Sequence, residues 1–148
     1  MNTYHLVILT PDKILFDDNV VQLTARTTEG DVGILAGHIR YAAILQTGVM
    51  TLKLPDGQIK TAAESGGVLK VSDDKTTVMV TAAEWAEEID PDWAERSRQD
   101  AMAKIEAAQN EPDRLERANL KLQRALNRLR VSGHGTGQAT PPLKKKKQ

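Results

Sequence analysis

The spacing of apolar and polar positions changes once along the chain. Between Thr3 and Glu84, turn-forming residues recur roughly every ten positions: Pro11-Asp12, Asp17-Asp18-Asn19, Glu29-Gly30-Asp31, Gly37, Gly48, Pro55-Asp56-Gly57, Gly66-Gly67 and Ser72-Asp73-Asp74. The intervals between them are short and rich in β-branched residues. They alternate along Val20-Val21-Gln22-Leu23-Thr24-Ala25, at Met50, Leu52 and Leu54, and at Val78 and Val80. Pro55-Asp56-Gly57 between two such runs predicts a hairpin, because proline fixes φ and glycine tolerates positive φ. Many short strands at even spacing predict an antiparallel sandwich or barrel.

At Asp90-Pro91 the period becomes helical. Aspartate is a favoured N-cap, proline suits the first helical position, and no glycine follows until Gly133. Ala94, Ala101, Ile105 and Ala108 form a small-residue stripe, Asn110-Glu111-Pro112-Asp113 breaks the helix, and Leu115, Ala118, Leu122, Ala125 and Leu129 then repeat as a heptad seam. So short a connection predicts two antiparallel helices in contact. Helices that bury mainly Ala and Leu gain little against their ordering entropy, so this hairpin is expected to dock marginally and to be able to detach. The tail SGHGTGQATPPLKKKKQ has almost nothing to bury and is expected to be disordered. The predicted fold is α+β: an antiparallel β-sandwich over 1–88, a helical hairpin over 89–131 and a disordered basic tail over 132–148.

Composition narrows the chemistry. The 148 residues include five aromatics and no cysteine, which excludes disulfides, cysteine-ligated metals and thiol catalysis. No apolar run approaches the ~20 residues of a membrane helix, and the N-terminus lacks a basic and apolar leader, so a soluble, unexported chain is expected. The formal charge is zero but divided: Met1 to Asp90 carries 7 basic and 13 acidic residues, a net of −6, and Pro91 to Gln148 carries 13 and 7, a net of +6.

His5, His38 and His134 lack the mutual spacing of metal ligands. Ser65 is not in a nucleophile elbow and reads as a turn serine. The acidic pairs Asp17-Asp18, Asp73-Asp74 and Glu87-Glu88 read as solvated turns, and Gly30-Asp31-Val32-Gly33 opens no phosphate-binding helix. The basic residues Arg114, Arg117, Lys121, Arg124, Arg128 and Arg130 on the second helix read either as a solvated face or as a docking stripe for an acidic partner. Nucleic acid fits less well without exposed aromatics for stacking.

The stretch Glu29-Gly30-Asp31-Val32-Gly33-Ile34-Leu35-Ala36-Gly37-His38 resembles the E-G-x-x-G-I-x-P-G-H signature of the epsilon subunits of F-type ATP synthases. The likeness continues through Leu45-Gln46-Thr47-Gly48-Val49, Ser65-Gly66-Gly67-Val68-Leu69-Lys70-Val71, and Ala83-Glu84 to Ile89-Asp90 and Ala94, and covers Met1 to about Val131. The resemblance implies a sandwich followed by a two-helix hairpin. It implies a non-catalytic central-stalk subunit that binds the gamma subunit and the membrane rotor ring of c subunits and couples ion translocation to ATP synthesis. Glu29, Asp31, His38, Arg40 and Tyr41 are the implied gamma and ring contacts. It also implies that the hairpin can extend and inhibit ATP hydrolysis, with Arg117, Lys121, Arg124 and Arg128 facing acidic loops of the alpha-beta catalytic core.

Departures from the pattern qualify this. Ala36 and Arg40 stand where the family has prolines, which implies a looser, more charged loop. Some members bind ATP through I-D-x-x-R-A, where this chain has Ile89-Asp90-Pro91-Asp92-Trp93-Ala94. With Trp93 at the arginine position no cofactor is expected, and Asp90, Arg124 and Arg128 remain the weak ATP candidates. The implied location is the cytoplasmic face of a bacterial plasma membrane, peripheral, with a chloroplast thylakoid as alternative. The rival readings are a stand-alone adaptor for an acidic protein or nucleic acid, and a small hydrolase using His38 and Asp31.

Overall fold

A computed structural model describes residues 2–132; the rest of the expected basic tail, including His134 and the lysine run, lies outside the described residues. Eight strands come first: β1 (Tyr4–Leu9), β2 (Ile14–Val20), β3 (Gln22–Thr27), β4 (Gly30–Leu35), β5 (Tyr41–Lys53), β6 (Ile59–Val71), β7 (Thr76–Val80) and β8 (Ala83–Trp85). A 3-10 turn over Ala86–Glu88 leads to helices α1 (Pro91–Ala107) and α2 (Pro112–Ser132). The strands pair in the order β2-β1-β7-β6-β5-β3-β4, with β8 also on β6. Pairing is antiparallel as expected, with one exception. β1 and β7 run parallel, with Leu6 beside Thr76 and Leu9 beside Met79.

The sheet becomes a sandwich because β5 and β6 form one long ribbon, paired from Tyr41–Val71 to Lys53–Ile59, that folds over on itself. The inward-facing positions change parity along it: Leu45, Leu69 and Val71 are buried at one end, and Met50, Leu52, Ala62 and Glu64 at the other. Side chains alternate with a period of two, so the change marks where the ribbon passes from one layer to the next. β7, β1 and β2 extend one end, and β3 and β4 extend the other. Leu6, Ile8, Leu23, Ile34, Met50, Leu52, Leu69 and Val78 fill the space between. The layers are also tied directly. Tyr4 Oη donates to the Ile34 carbonyl at 2.7 Å, and Phe16 packs edge-on against Trp85 at 6.2 Å between ring centroids.

Several expected turns are strand. Gly66 and Gly67 sit inside β6 at the fold of the ribbon: Gly66 has φ +98°, and a Cβ on Gly67 would stand 1.9 Å from the Met79 carbonyl oxygen of β7. Gly48 lies inside β5 at the same fold, and Ser65 is likewise in strand. Asp17-Asp18-Asn19 belongs to β2, an edge strand whose exposed charged residues discourage further pairing. Val20 to Ala25 is two strands, because the chain crosses layers at Val21: Val20 pairs with Tyr4, whereas Gln22 pairs with Leu35 and Lys53. The Pro55-Asp56-Gly57 hairpin forms as expected, with Gly57 at φ +91° and its N–H bonded to the Leu54 carbonyl at 2.9 Å.

The helices follow the sequence closely. The Asp90 carboxylate accepts from the N–H groups of Asp92 and Trp93 at 3.0 and 3.3 Å, with Pro91 in the first turn. Ala94, Ala101 and Ala108 of the first stripe, and Ala118 and Ala125 of the second, are buried in the seam. The hairpin meets the sandwich through the C-terminal end of α2, where Val131 packs with Ala63, Ala86 and Ile89. Asn127 there donates Nδ2 to the Gly48 carbonyl at 2.8 Å.

Candidate functional site

Three surfaces carry the residues singled out by sequence. The first is the β3–β4 turn and the loop that follows β4. Gly30, at φ +117°, closes the turn, and Thr27 Oγ1 donates to its carbonyl at 2.7 Å while accepting from the Glu29 N–H at 3.0 Å. Glu29 is therefore exposed at a hairpin tip. Asp31 stands next to it and accepts from Arg26 Nε at 3.0 Å. The loop over 36–40 places the His38 ring edge-on to Tyr41, 5.5 Å between centroids, with Nδ1 2.8 Å from the Ile39 carbonyl oxygen.

Arg40 forks onto Asp73 of the β6–β7 turn, with Nε at 3.0 Å and a terminal nitrogen at 2.5 Å. This pairing holds the Asp73 carboxyl below its usual range. Asp73 is solvated in its turn, as expected, and is an ion-pair partner as well. The five sequence-named residues form two groups, Glu29 with Asp31 and His38 with Arg40 and Tyr41. Asp31 and His38 are engaged separately, Asp31 by Arg26 and His38 by the Ile39 carbonyl, and no hydrogen bond joins the two among the described residues.

The second surface was not read from the sequence. On the outer face of the β2-β1-β7-β6-β5 layer, the pairing register aligns Ile44 with Val68, Val68 with Met79, Met79 with Leu9, and Leu9 with Ile14. This is one lateral row of apolar side chains across five strands, about 19 Å wide at ordinary strand spacing. Ile14, Ile44, Val68 and Met79 are 60%, 63%, 41% and 47% exposed, far from core burial. The next row along the same strands is Ala42, Lys70, Thr77, Val7 and Asp17, so polar groups border the apolar row on three of its five strands. The available signal was the apolar pairs Ile8-Leu9, Ile44-Leu45 and Val68-Leu69 and the run Val78-Met79-Val80, where both faces of a strand are apolar.

The third surface is the hairpin. Of the four candidate inhibitory cations, Arg117 and Arg124 are exposed. Lys121 pairs with Asp100 of α1, and that contact lowers the Asp100 pKa. Arg128 Nε donates to Glu84 of β8 at 2.5 Å, and its guanidinium lies 5.2 Å from the centre of the Trp93 ring. Trp93, Arg96, Ser97, Asp100, Lys121 and Arg124 line an open cleft of about 420 Å³ beside it. Asp90 is engaged in capping α1. In the docked arrangement Asp90 caps α1 and Arg128 pairs with Glu84, while Arg96, Lys121, Arg124 and Arg128 all line the cleft beside Trp93.

Comparison with known proteins covers both halves of the chain. A family model described as ATP synthase, Delta/Epsilon chain, beta-sandwich domain matches residues 3–86. Its companion, the long alpha-helix domain, matches residues 87–133. An ATP synthase epsilon chain of Ruminococcus albus is 43% identical over 135 residues, covering 89% of this chain and 98% of the relative. One from Bacillus velezensis is 41% identical over 134 residues, covering 90% and 100%. The fold is shared with a chain in a structure of the Euglena gracilis mitochondrial ATP synthase OSCP/F1/c-ring, at TM-score 0.72 and 24% identity, covering 82% of this chain and 76% of that one. With both halves matched and relatives of nearly equal length above 40% identity, the chain belongs to the ATP synthase epsilon chain family.

Proposed function

We propose that this chain is a non-catalytic rotor subunit of the central stalk, held to the gamma subunit by the outer apolar row of the sandwich and to the membrane ring of c subunits by the β3–β4 tip and the loop after it. The row carries the reading. Exposed apolar side chains aligned across five strands and bordered by polar residues have the composition of an interface centre. Glu29, Asp31, His38, Arg40 and Tyr41 present polar and aromatic groups, Tyr41 standing three residues from Ile44 on β5, suited to reading the polar surface of a ring. The subunit couples ion translocation to ATP synthesis from a peripheral position, on the cytoplasmic face of a bacterial plasma membrane.

The hairpin supplies the brake. When extended toward the alpha-beta core, Arg117 and Arg124 meet acidic surface first, because neither has to leave a partner within the hairpin, and Lys121 and Arg128 join after giving up Asp100 and Glu84.

The test is co-elution with a cognate alpha-beta-gamma core. The full chain is expected to co-elute, and Val68→Asp or Ile44→Asp, at exposed positions that leave the fold intact, to abolish it. Undiminished binding by both variants sinks the docking surface. Binding to other proteins or to nucleic acid without gamma would favour an adaptor. Hydrolysis by the core is expected to rise when Arg117 and Arg124 are replaced by glutamate, with binding unchanged.

A further inference from the structure

We infer that Arg128, Trp93 and Glu84 form a latch that holds the hairpin against the sandwich without a nucleotide. Three elements meet at one side chain. Arg128 belongs to α2, Glu84 to β8 and Trp93 to the first turn of α1. The guanidinium donates Nε to the Glu84 carboxylate at 2.5 Å and lies over the indole ring at 5.2 Å from its centre. Arginine alone among the cations can do both, being planar, permanently charged and weakly hydrated. The pair is sheltered: the Arg128 side chain is 20% exposed and that of Glu84 37%, against 78% and 74% for Arg40 and Asp73. Screening by solvent and salt therefore takes less from the Arg128 pair than from the Arg40 pair.

Position 93 decides how the contact works. An arginine there would set a second cation against Arg128, and an anion between the two would be needed to relieve the repulsion. Tryptophan removes that charge and supplies a π-face. Glu84 already neutralises Arg128, and Asp100 neutralises Lys121 in the same cleft. Arg96 and Arg124 also line the cleft, but a phosphate group that is to gain Arg128 or Lys121 must first displace a carboxylate. In this chain the docked hairpin is thus closed by its own side chains. Because Arg128 also belongs to the stripe proposed to face the catalytic core, it serves the latch or the brake but never both at once.

The rest of the dock is small, with Asn127 on the Gly48 carbonyl and Val131 among Ala63, Ala86 and Ile89, so loss of the latch is readable as hairpin opening. The experiment is hydrogen exchange on the isolated full chain, with and without ATP, following segment 117–131 against strands β5 and β6 as an internal reference of folding. Trp93→Ala and Glu84→Gln are each expected to speed exchange of 117–131 by roughly fivefold, and Trp93→Phe to retain most of the protection. ATP is expected to leave the unaltered chain unchanged. Trp93→Arg is expected to open the hairpin in the absence of ATP.

Unaltered protection in Trp93→Ala and Glu84→Gln, with β5 and β6 intact, overturns the latch, and so does ATP-induced protection of the unaltered chain. Since gamma is not present in this experiment, its failure is separate from failure of the docking surface.

Discussion

Glu64 sits opposite Gly48 in the β5–β6 ladder, with its Oε1 accepting from the Gly66 N–H at 2.6 Å and its Oε2 buried without a partner. The residue is 1% exposed, on the core side of the ribbon with Met50 and Ala62. A carboxyl group so placed favours its neutral form, and burial pushes its pKa up to about 7.

The pH dependence follows from the sign of that shift. The folded pKa lies above the unfolded one, so the group's contribution is complete below about pH 4.5 and is lost as pH rises through about 7. Between about pH 5 and about pH 8 the chain is expected to lose on the order of 2–3 kcal/mol from this residue. Glu64→Gln should flatten the profile. Thermal melts of both proteins across that range check it, and parallel profiles would remove Glu64 as the cause.

Gly67 admits no side chain. Because its Cβ would fall 1.9 Å from backbone oxygen of β7, Gly67→Ala has to separate two paired strands and is expected to cost roughly 4 kcal/mol or more. Gly57→Ala, in an open turn at φ +91°, meets no atom and pays only for its backbone conformation, about 1–2 kcal/mol. Urea unfolding of the two variants should separate them clearly, and equal losses would contradict the packing at Gly67.

Asp90→Ala removes the acceptor for two N–H groups at the start of α1. It is expected to cost about 1 kcal/mol and to fray the first turn, where Trp93 stands. Amide exchange of residues 91–96 should rise while α2 near Val131 is less affected. Uniform exchange would mean that water satisfies the helix start equally well.

Tyr4→Phe deletes the tie between layers at Ile34. A hydrogen bond lost at a half-buried site is expected to cost about 1 kcal/mol. The Tyr4 hydroxyl, raised well above the ordinary tyrosine range by burial, should also stay protonated through the pH range in which a solvated phenol ionises in an alkaline titration. Ionisation of Tyr4 within that ordinary range would contradict its burial.

The helical hairpin was legible almost residue by residue, because caps and heptad spacing are local signals: Asp90, Pro91, Ala101 and Ala125 do what their positions predict. The sandwich was legible as a class and less so in its joints. Gly48 and Gly66-Gly67 read as turns because glycine marks any departure from ordinary backbone, whether the chain reverses or a long strand folds over. The run from Val20 to Ala25 reads as one strand because Val21, Leu23 and Ala25 keep the alternation past the change of layer, which only the adjacent burial of Val20 and Val21 marks. Of the site residues, Glu29 and His38 could be named through their motif. The Arg40–Asp73 fork, the Arg128–Trp93 contact and the row from Ile44 to Ile14 depend on pairing between distant segments, which a linear reading does not supply.

β5 gives the molecule a mechanical property as well as a shape. Tyr41 beside His38 and Gly48 beneath Asn127 lie on one unbroken strand, seven residues and about 23 Å apart at extended spacing. A load applied at the loop reaches the seat of the hairpin along covalent bonds, braced by ladder pairing with β6 and, at Leu45, with β3. Soft side-chain contacts do not have to carry it. The strand works as a tie rod, so the two ends of the domain move together in register and little of an applied twist is spent in elastic slack.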